Sequence, residues 1–394
     1  MNCDFVFAAI LLLASPSTPS PPSLLTEIDR QVRDGFWDPK LKGVDWNGAV
    51  ARASTEFKSA NSPAERDRVY DRLLATLSDS HTFRVPAGRL PERGWGTAGL
   101  RIGRDGEGYA VKGVIPGSSA ERAGLKVGDR VLSVDGKPYG KDRVNFRDLF
   151  FVFEGVRGSS VDVAWRPLSG GKERTARLVR GPEEPGDTLV WKSARVLQRD
   201  GKKYGYARLW GISTETALTV VDMLLDRKEV SGSRVAGWDG IEGFLLDVRA
   251  NAGGYDPDIL TTFLRGRWSC CDYSILTREG RRMTPPEYQP LPVALLVNAG
   301  TASAGEALAL KFRRHAIGPI VGETTAGMAS GGADARKLSD GSMLWLTARA
   351  IEDLDGHSYE GEGVAPDVAV ADRGDAVIEA AIKALALARK SGGN

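Results

Sequence analysis

Histidine and cysteine are both scarce in this 394-residue chain, with three of each. Cys270 and Cys271 are adjacent, and a vicinal disulfide is strained, so no disulfide framework is implied. CxxC and HExxH patterns are missing as well, and neither a metal site nor a cofactor motif is read from the chain. No sign of charge dominates: 53 Lys and Arg stand against 51 Asp and Glu, a net +2. Without a basic stripe, that balance argues against nucleic acid as a partner. No apolar run reaches the roughly 20 residues needed to cross a bilayer, so no integral membrane segment is expected. What is present is a hydrophobic fraction of 42% with 26% charged residues, enough to bury a sizeable core. The length suits two or three domains.

The N-terminus stands apart. "FVFAAILLLAS" (Phe5 to Ser15) has the length of a signal-peptide apolar region and is followed by "PSTPSPPS". The preceding "MNCD" lacks Lys and Arg, which such a leader ordinarily carries. Residues 1–23 are read as a leader that would remove Cys3, and export to a periplasm or the exterior is expected.

Residues 24–90 read as a helical unit. "LLTEIDRQVRDGFWDPKL", "WNGAVARASTEFKSA" and "NSPAERDRVYDRLLATLSDS" carry apolar residues at helical spacing, the last with Ser62 as cap and Pro63 at the first position. Over 95–182 the texture changes to short β-patterned runs ("GLRIG", "YAVKGVI", "RVLSVDG", "SSVDVAWR") with glycine turns. "PGSSAERAGLKVGDRVLSVDGKPY" (Pro116 to Tyr139) sets a short helix between two strands and closely resembles a PDZ domain. That resemblance implies that "GTAGLRI" is a carboxylate-binding loop with an exposed strand, where Gly99, Leu100, Arg101 and Ile102 would add a peptide as an edge strand. Over 185–392, strands and helices alternate: "YGYARLWGI", "TETALTVVDMLLDRK", "IEGFLLDVRANAGG", "DPDILTTFLRG", "PVALLVNAG" and "SAGEALALKFRRH". "PIVGETTAG" and "MLWLTARAIED" supply further strands, and 371–391 an amphipathic helix. The pattern is that of a layered α/β core.

Two strand-to-helix turns carry the candidate chemistry. The first, "DVRANAGG", ends in Gly253 and Gly254, whose amides are candidates to stabilise a developing oxyanion. The second, "NAGTASAGE", places Ser303 at a helix start, where it is either an N-cap or a nucleophile; the Ala304 amide follows it.

"DVRANAGG", "NAGTASAGE", "GETTAG" and "GEGVAPDVAV", in that order behind a PDZ-like region, resemble the C-terminal processing (tail-specific) serine proteases. "WDPKLKGVDW" and "LSDSHT" add to the likeness. It implies a multidomain α/β protein with a crotonase-like core, Ser303 as nucleophile, and Gly253, Gly254 and Ala304 in the oxyanion hole. Serine–lysine members carry their base after the "GExTxG" turn, but here Met328 occupies that position, and a thioether takes no proton from serine. Lys337, beyond a glycine-rich loop, is a poor substitute.

Histidine is the usual base at neutral pH. His315 ends a helix, where a cation suits the dipole, and His357 lies in a loop beside a candidate acid. "SDSHTFRV" resembles the tricorn-core branch of the same family, which implies His81 as base, Ser80 as its partner and Glu360 as the orienting acid. Glu362 is two residues from Glu360, so that choice rests on the alignment alone. The expected function is serine endopeptidase action on unfolded or flexible polypeptides, engaged through their C-termini, with oligomerisation left open. A non-catalytic peptide-binding protein on the same fold is the alternative that Met328 favours, and fold analogy alone adds a binder of small apolar ligands.

Overall fold

The computed structural model describes residues 21–89, 95–140, 145–182, 184–225, 240–255, 257–266 and 291–391, with isolated positions at 235, 238 and between 275 and 283. The leader through residue 20 and the Cys270–Cys271 pair lie outside the described residues.

Three helices open the described chain: α1 (Pro21–Gly35), α2 (Trp46–Ser59) and α3 (Pro63–Ala75). α3 starts where its capping chemistry dictates. Ser62 Oγ accepts from the Glu65 amide and the Glu65 carboxylate accepts from the Ser62 amide, both at 3.2 Å, with Pro63 in the first turn. The apolar stripes Leu25/Ile28/Val32, Trp46/Ala49/Ala53 and Val69/Leu73/Leu74 face one another and are buried.

These helices do not form a free-standing unit. Leu338, Leu344 and Leu346 share their core; the last two belong to, and Leu338 directly follows, a three-stranded antiparallel sheet in the order Phe83–Val85, Met343–Thr347, Ala333–Lys337. "MLWLTARAIED", expected as a further strand of the α/β layer, forms one over Met343–Thr347 only and lies outside the parallel sheet. Its alternation buries Leu344 and Leu346 under the helices, the pattern of a half-covered antiparallel strand.

The β-domain is built on an antiparallel path in the order Leu100–Asp105, Gly108–Val114, Arg130–Val134, Ser160–Arg166, Arg174–Val179. Tyr109, Val111, Val131, Trp165 and Leu178 fill its core. Leu100–Asp105 is the edge of this sheet, as expected, but only its far end is exposed, at Arg104. Leu100 and Ile102 have no accessible surface and pack in the β-domain's own core, Arg101 is buried with its guanidinium 3.0 Å from Glu154, and the Gly99 amide donates to Thr97 Oγ1. Gly103 lies against the α/β core, where a Cβ would stand 2.2 Å from the Ala299 carbonyl oxygen.

The core sheet runs Arg195–Arg199, Lys202–Arg208, Gly243–Asp247, Val293–Val297, Ile320–Gly322, Val368–Ala369, parallel except for its first pair. One face packs on Val220, Phe263, Leu308 and Phe312, the other on the helix Ala376–Ser391 through Val377, Ala381 and Leu385. Burial on both faces explains why "FLLD" and "VALLV" are apolar without alternation. No helix among the described residues is long and apolar enough to cross a membrane. The two central strands, Gly243–Asp247 and Val293–Val297, are neighbours and end at the same side, so their turns meet there.

Candidate active site

Each of the two turns begins Asn-Ala-Gly, and in each the asparagine side chain holds the backbone. Asn251 Oδ1 accepts from the Gly253 amide (2.8 Å), while its amide group donates to the Leu209 carbonyl (2.9 Å). Asn298 Oδ1 accepts from the Gly300 amide (2.9 Å) and from the Ala250 amide of the other turn (2.8 Å). The Ala302 amide in turn donates to the Asn251 carbonyl (2.9 Å), stitching the turns together. The repeated tripeptide was visible in the sequence, but its cross-bracing role was not.

Ser303 is the half-buried N-cap of the helix Ala304–Arg314, with φ +53 and ψ −122. A non-glycine residue in that region is strained, and such strain persists only where the surroundings over-determine it. Here the Ser303 amide donates to the Met328 carbonyl (3.0 Å) and to the Glu306 carboxylate (3.2 Å). Glu306, which the sequence reading did not single out, has no exposed surface and also accepts from Thr325 Oγ1 (2.6 Å) and the amides of Gly327 and Met328 (both 2.8 Å). Burial pushes its carboxyl up to about 7 against the pull of these donors. Met328 is itself buried and packs into the β-domain core with Ala302.

The glycine turn abuts Ser303 directly. A Cβ on Gly253 would lie 2.5 Å from the Ser303 Cβ and 3.0 Å from its Oγ, and Gly253 has φ +92. Its amide is already given to Asn251. The amides of Gly254 and Ala304 donate to no group among the described residues. Gly253→Ala is expected to lower kcat/KM by about 100-fold or more, since the methyl group displaces the serine by a distance on the order of 1 Å. A folded variant hydrolysing casein at the wild-type rate would show that the turn can yield.

Across from the turns, the loop between α3 and the strand Phe83–Val85 brings in His81. Its Nε2 is 3.3 Å from Ser303 Oγ. On the far side, Nδ1 is 2.9 Å from Ser80 Oγ and 3.0 Å from Ser330 Oγ. Ser80 Oγ donates to Glu360 Oε2 (3.0 Å), whose carboxylate also accepts the amides of Ser80 (3.0 Å) and Ala329 (2.8 Å). The two hydroxyls of Ser80 and Ser330 are 2.9 Å apart. Ser330 is absent from the sequence-derived set, because a serine among glycines and alanines carries no signal of its own. The imidazole stacks on Phe146 at 4.7 Å, and burial pulls it down to about 4, with Asp79 acting in the opposite direction.

The tautomer follows from donor counting. As a carboxylate, Glu360 only accepts, so the Ser80 hydroxyl proton points to it; the 2.9 Å contact from Ser80 Oγ to His81 Nδ1 is then a hydrogen bond only if Nδ1 carries the proton, with the Ser330 hydroxyl turned to Ser80 Oγ. That leaves a lone pair on Nε2, facing Ser303. The remaining candidates lie elsewhere. Glu362 meets His357 at 3.2 Å on the surface, Lys337 is exposed on the strand Ala333–Lys337, and His315 ends the Ser303 helix. Gly99 to Ile102 are buried, with their contacts inside the β-domain.

Residues 203–370 match the model of peptidase family S41, and residues 111–167 that of the PDZ domain. The S41 match takes in the segment that carries Ser303, and the PDZ match lies within the β-domain. The chain is 27% identical over 368 residues to putative tricorn protease homolog 2 of Streptomyces coelicolor, an alignment covering 87% of it and 30% of that protein. To the chloroplastic C-terminal processing peptidase of Tetradesmus obliquus it is 26% identical over 386 residues, covering 90% and 78%. It thus spans about a third of the length of the tricorn homologues it matches, whose shares are 30% and 33%. Among solved structures, the photosystem II D1 C-terminal processing protease superposes with a TM-score of 0.58 at 25% identity, over 90% of this chain and 94% of that one.

Proposed function

We propose that the chain is a serine endopeptidase acting on unfolded or flexible polypeptides, with Ser303 as nucleophile and His81 as general base. The observation that carries this reading is the continuous path Glu360–Ser80–His81–Ser303, each step within hydrogen-bond distance. His81 Nε2 takes the Ser303 proton as Oγ attacks the scissile carbonyl. The Gly254 and Ala304 amides receive the oxyanion, and His81 returns the proton to the leaving amine. Water, activated by the same imidazole, then releases the acyl group. Glu360 and Ser80 keep Nδ1 protonated and support the imidazolium, with no lysine required. Engagement of free C-termini by Gly99–Ile102 requires that buried edge to be uncovered first.

A fluorophosphonate probe tests the assignment, since it reacts with an activated serine and spares an ordinary N-cap. Labelling is expected on the peptide that contains Ser303, and to disappear in a sample pretreated with an unlabelled fluorophosphonate. A folded protein that takes up no label would leave the peptide-binding reading, which the apolar Met328 favours.

A further inference from the structure

Asp79 lies two residues before His81, and the mechanism above does not use it. It is buried, and Oδ1 accepts from the His81 amide (3.1 Å) and from Thr347 Oγ1 (2.5 Å). Oδ2 is shielded from solvent and has no hydrogen-bond partner among the described residues. A buried carboxylate oxygen without a donor is costly, and its retention calls for a compensating charge. Thr347 ends the strand Met343–Thr347, where its amide donates to Thr82 Oγ1 at 3.2 Å, so Asp79 is held at a rigid point rather than on a free loop.

The other charged groups around the imidazole are committed. Glu360 reaches it only through Ser80, and Glu306 sits behind the Gly327–Met328 backbone with four donors. On the element that carries Phe146, Arg147 is bound to Asp71 and Asp148. No cation among these groups pairs with Asp79. The positive charge available to it is the one that appears on His81 when Ser303 gives up its proton.

We propose that Asp79 is a positioning residue for His81, fixing its backbone through Oδ1 and stabilising the imidazolium through its otherwise unsatisfied negative charge. The proposal rests on the serine–histidine reading of the site. It explains why a carboxylate stands here in addition to Glu360: Glu360 sets the tautomer through an intervening hydroxyl, whereas Asp79 acts through space on the charge. Burial disfavours the imidazolium and Asp79 favours it, so removal of the charge should make His81 a weaker base still.

The test is Asp79→Asn, which keeps a carbonyl oxygen for the His81 amide and removes the charge. Ring resonances of the three histidines are followed by NMR across pH, alongside kcat and kcat/KM on casein. The His81 midpoint is expected to move to lower pH and kcat to fall about tenfold, the factor that one pKa unit of imidazolium stabilisation is worth. If the asparagine variant does not fold, Asp79→Ser, which offers a hydroxyl acceptor without charge, is expected to shift the midpoint the same way. A folded variant with an unmoved His81 midpoint and wild-type kcat overturns the proposal. A wild-type protein without peptidase activity whose His81 midpoint still drops in the variant would sink the peptidase reading and leave the Asp79–His81 coupling standing.

Discussion

Ser303→Ala is expected to abolish casein hydrolysis while leaving the thermal melt almost unchanged. The bonds that hold this position use its backbone: its amide donates to Met328 and Glu306, and its carbonyl accepts from the amides of Glu306 (2.8 Å) and Ala307 (3.1 Å). Alanine keeps all four and is no more strained at φ +53 than serine. What disappears is the hydroxyl 3.3 Å from His81 Nε2. In a site of this kind the loss of the nucleophile costs on the order of a millionfold in kcat, since the oxyanion donors and binding alone leave only a small residual rate. Casein hydrolysis with circular dichroism on the same sample checks both halves. Activity at the wild-type rate would remove Ser303 from the mechanism.

His81→Ala is expected to lower kcat by on the order of a thousandfold or more, because it removes the proton acceptor and later donor together. The pH dependence departs from that of an ordinary catalytic imidazole. A catalytic imidazole ordinarily gives a rise in kcat/KM through about 6 to 7. In this fold burial under Phe146 and the loop Met328–Ser330 lowers His81 to about 4. A lowered pKa means that the neutral base survives into acid, so wild-type kcat/KM should stay level below neutrality and fall only as pH approaches that value. The same shift weakens the fold in acid. The unfolded chain protonates this histidine near its ordinary 6.5 while the folded chain resists, so its contribution to stability is present above 6.5 and is lost as pH falls through the folded value. Glu360→Gln should lose less than His81→Ala, since it disturbs orientation without removing the base. Lys337→Ala should change little. An active His81→Ala variant beside an inactive Lys337→Ala variant would make lysine the base.

The sequence by itself determined the local features: two Asn-Ala-Gly turns after apolar strands, the Ser62–Pro63 helix start, the glycine punctuation of the PDZ region, and the thioether at position 328 in place of a lysine. Each depends on residues close in the chain, where backbone freedom, capping and side-chain chemistry act directly. Only the tertiary structure decided which groups meet. Ser303 and His81 are 222 positions apart, and Ser80 and Glu360 are 280 apart. Pairing of Phe83–Val85 with Met343–Thr347 brings those segments together, and "MLWLT" does not announce its partner. The same packing set Gly103 of the edge strand against Ala299, committed the Gly253 amide to Asn251, and set Glu306, Ser330 and Asp79 around the reacting pair. Residues of these types are common in loops and helices, and only the distance to a group far away in the chain distinguishes them.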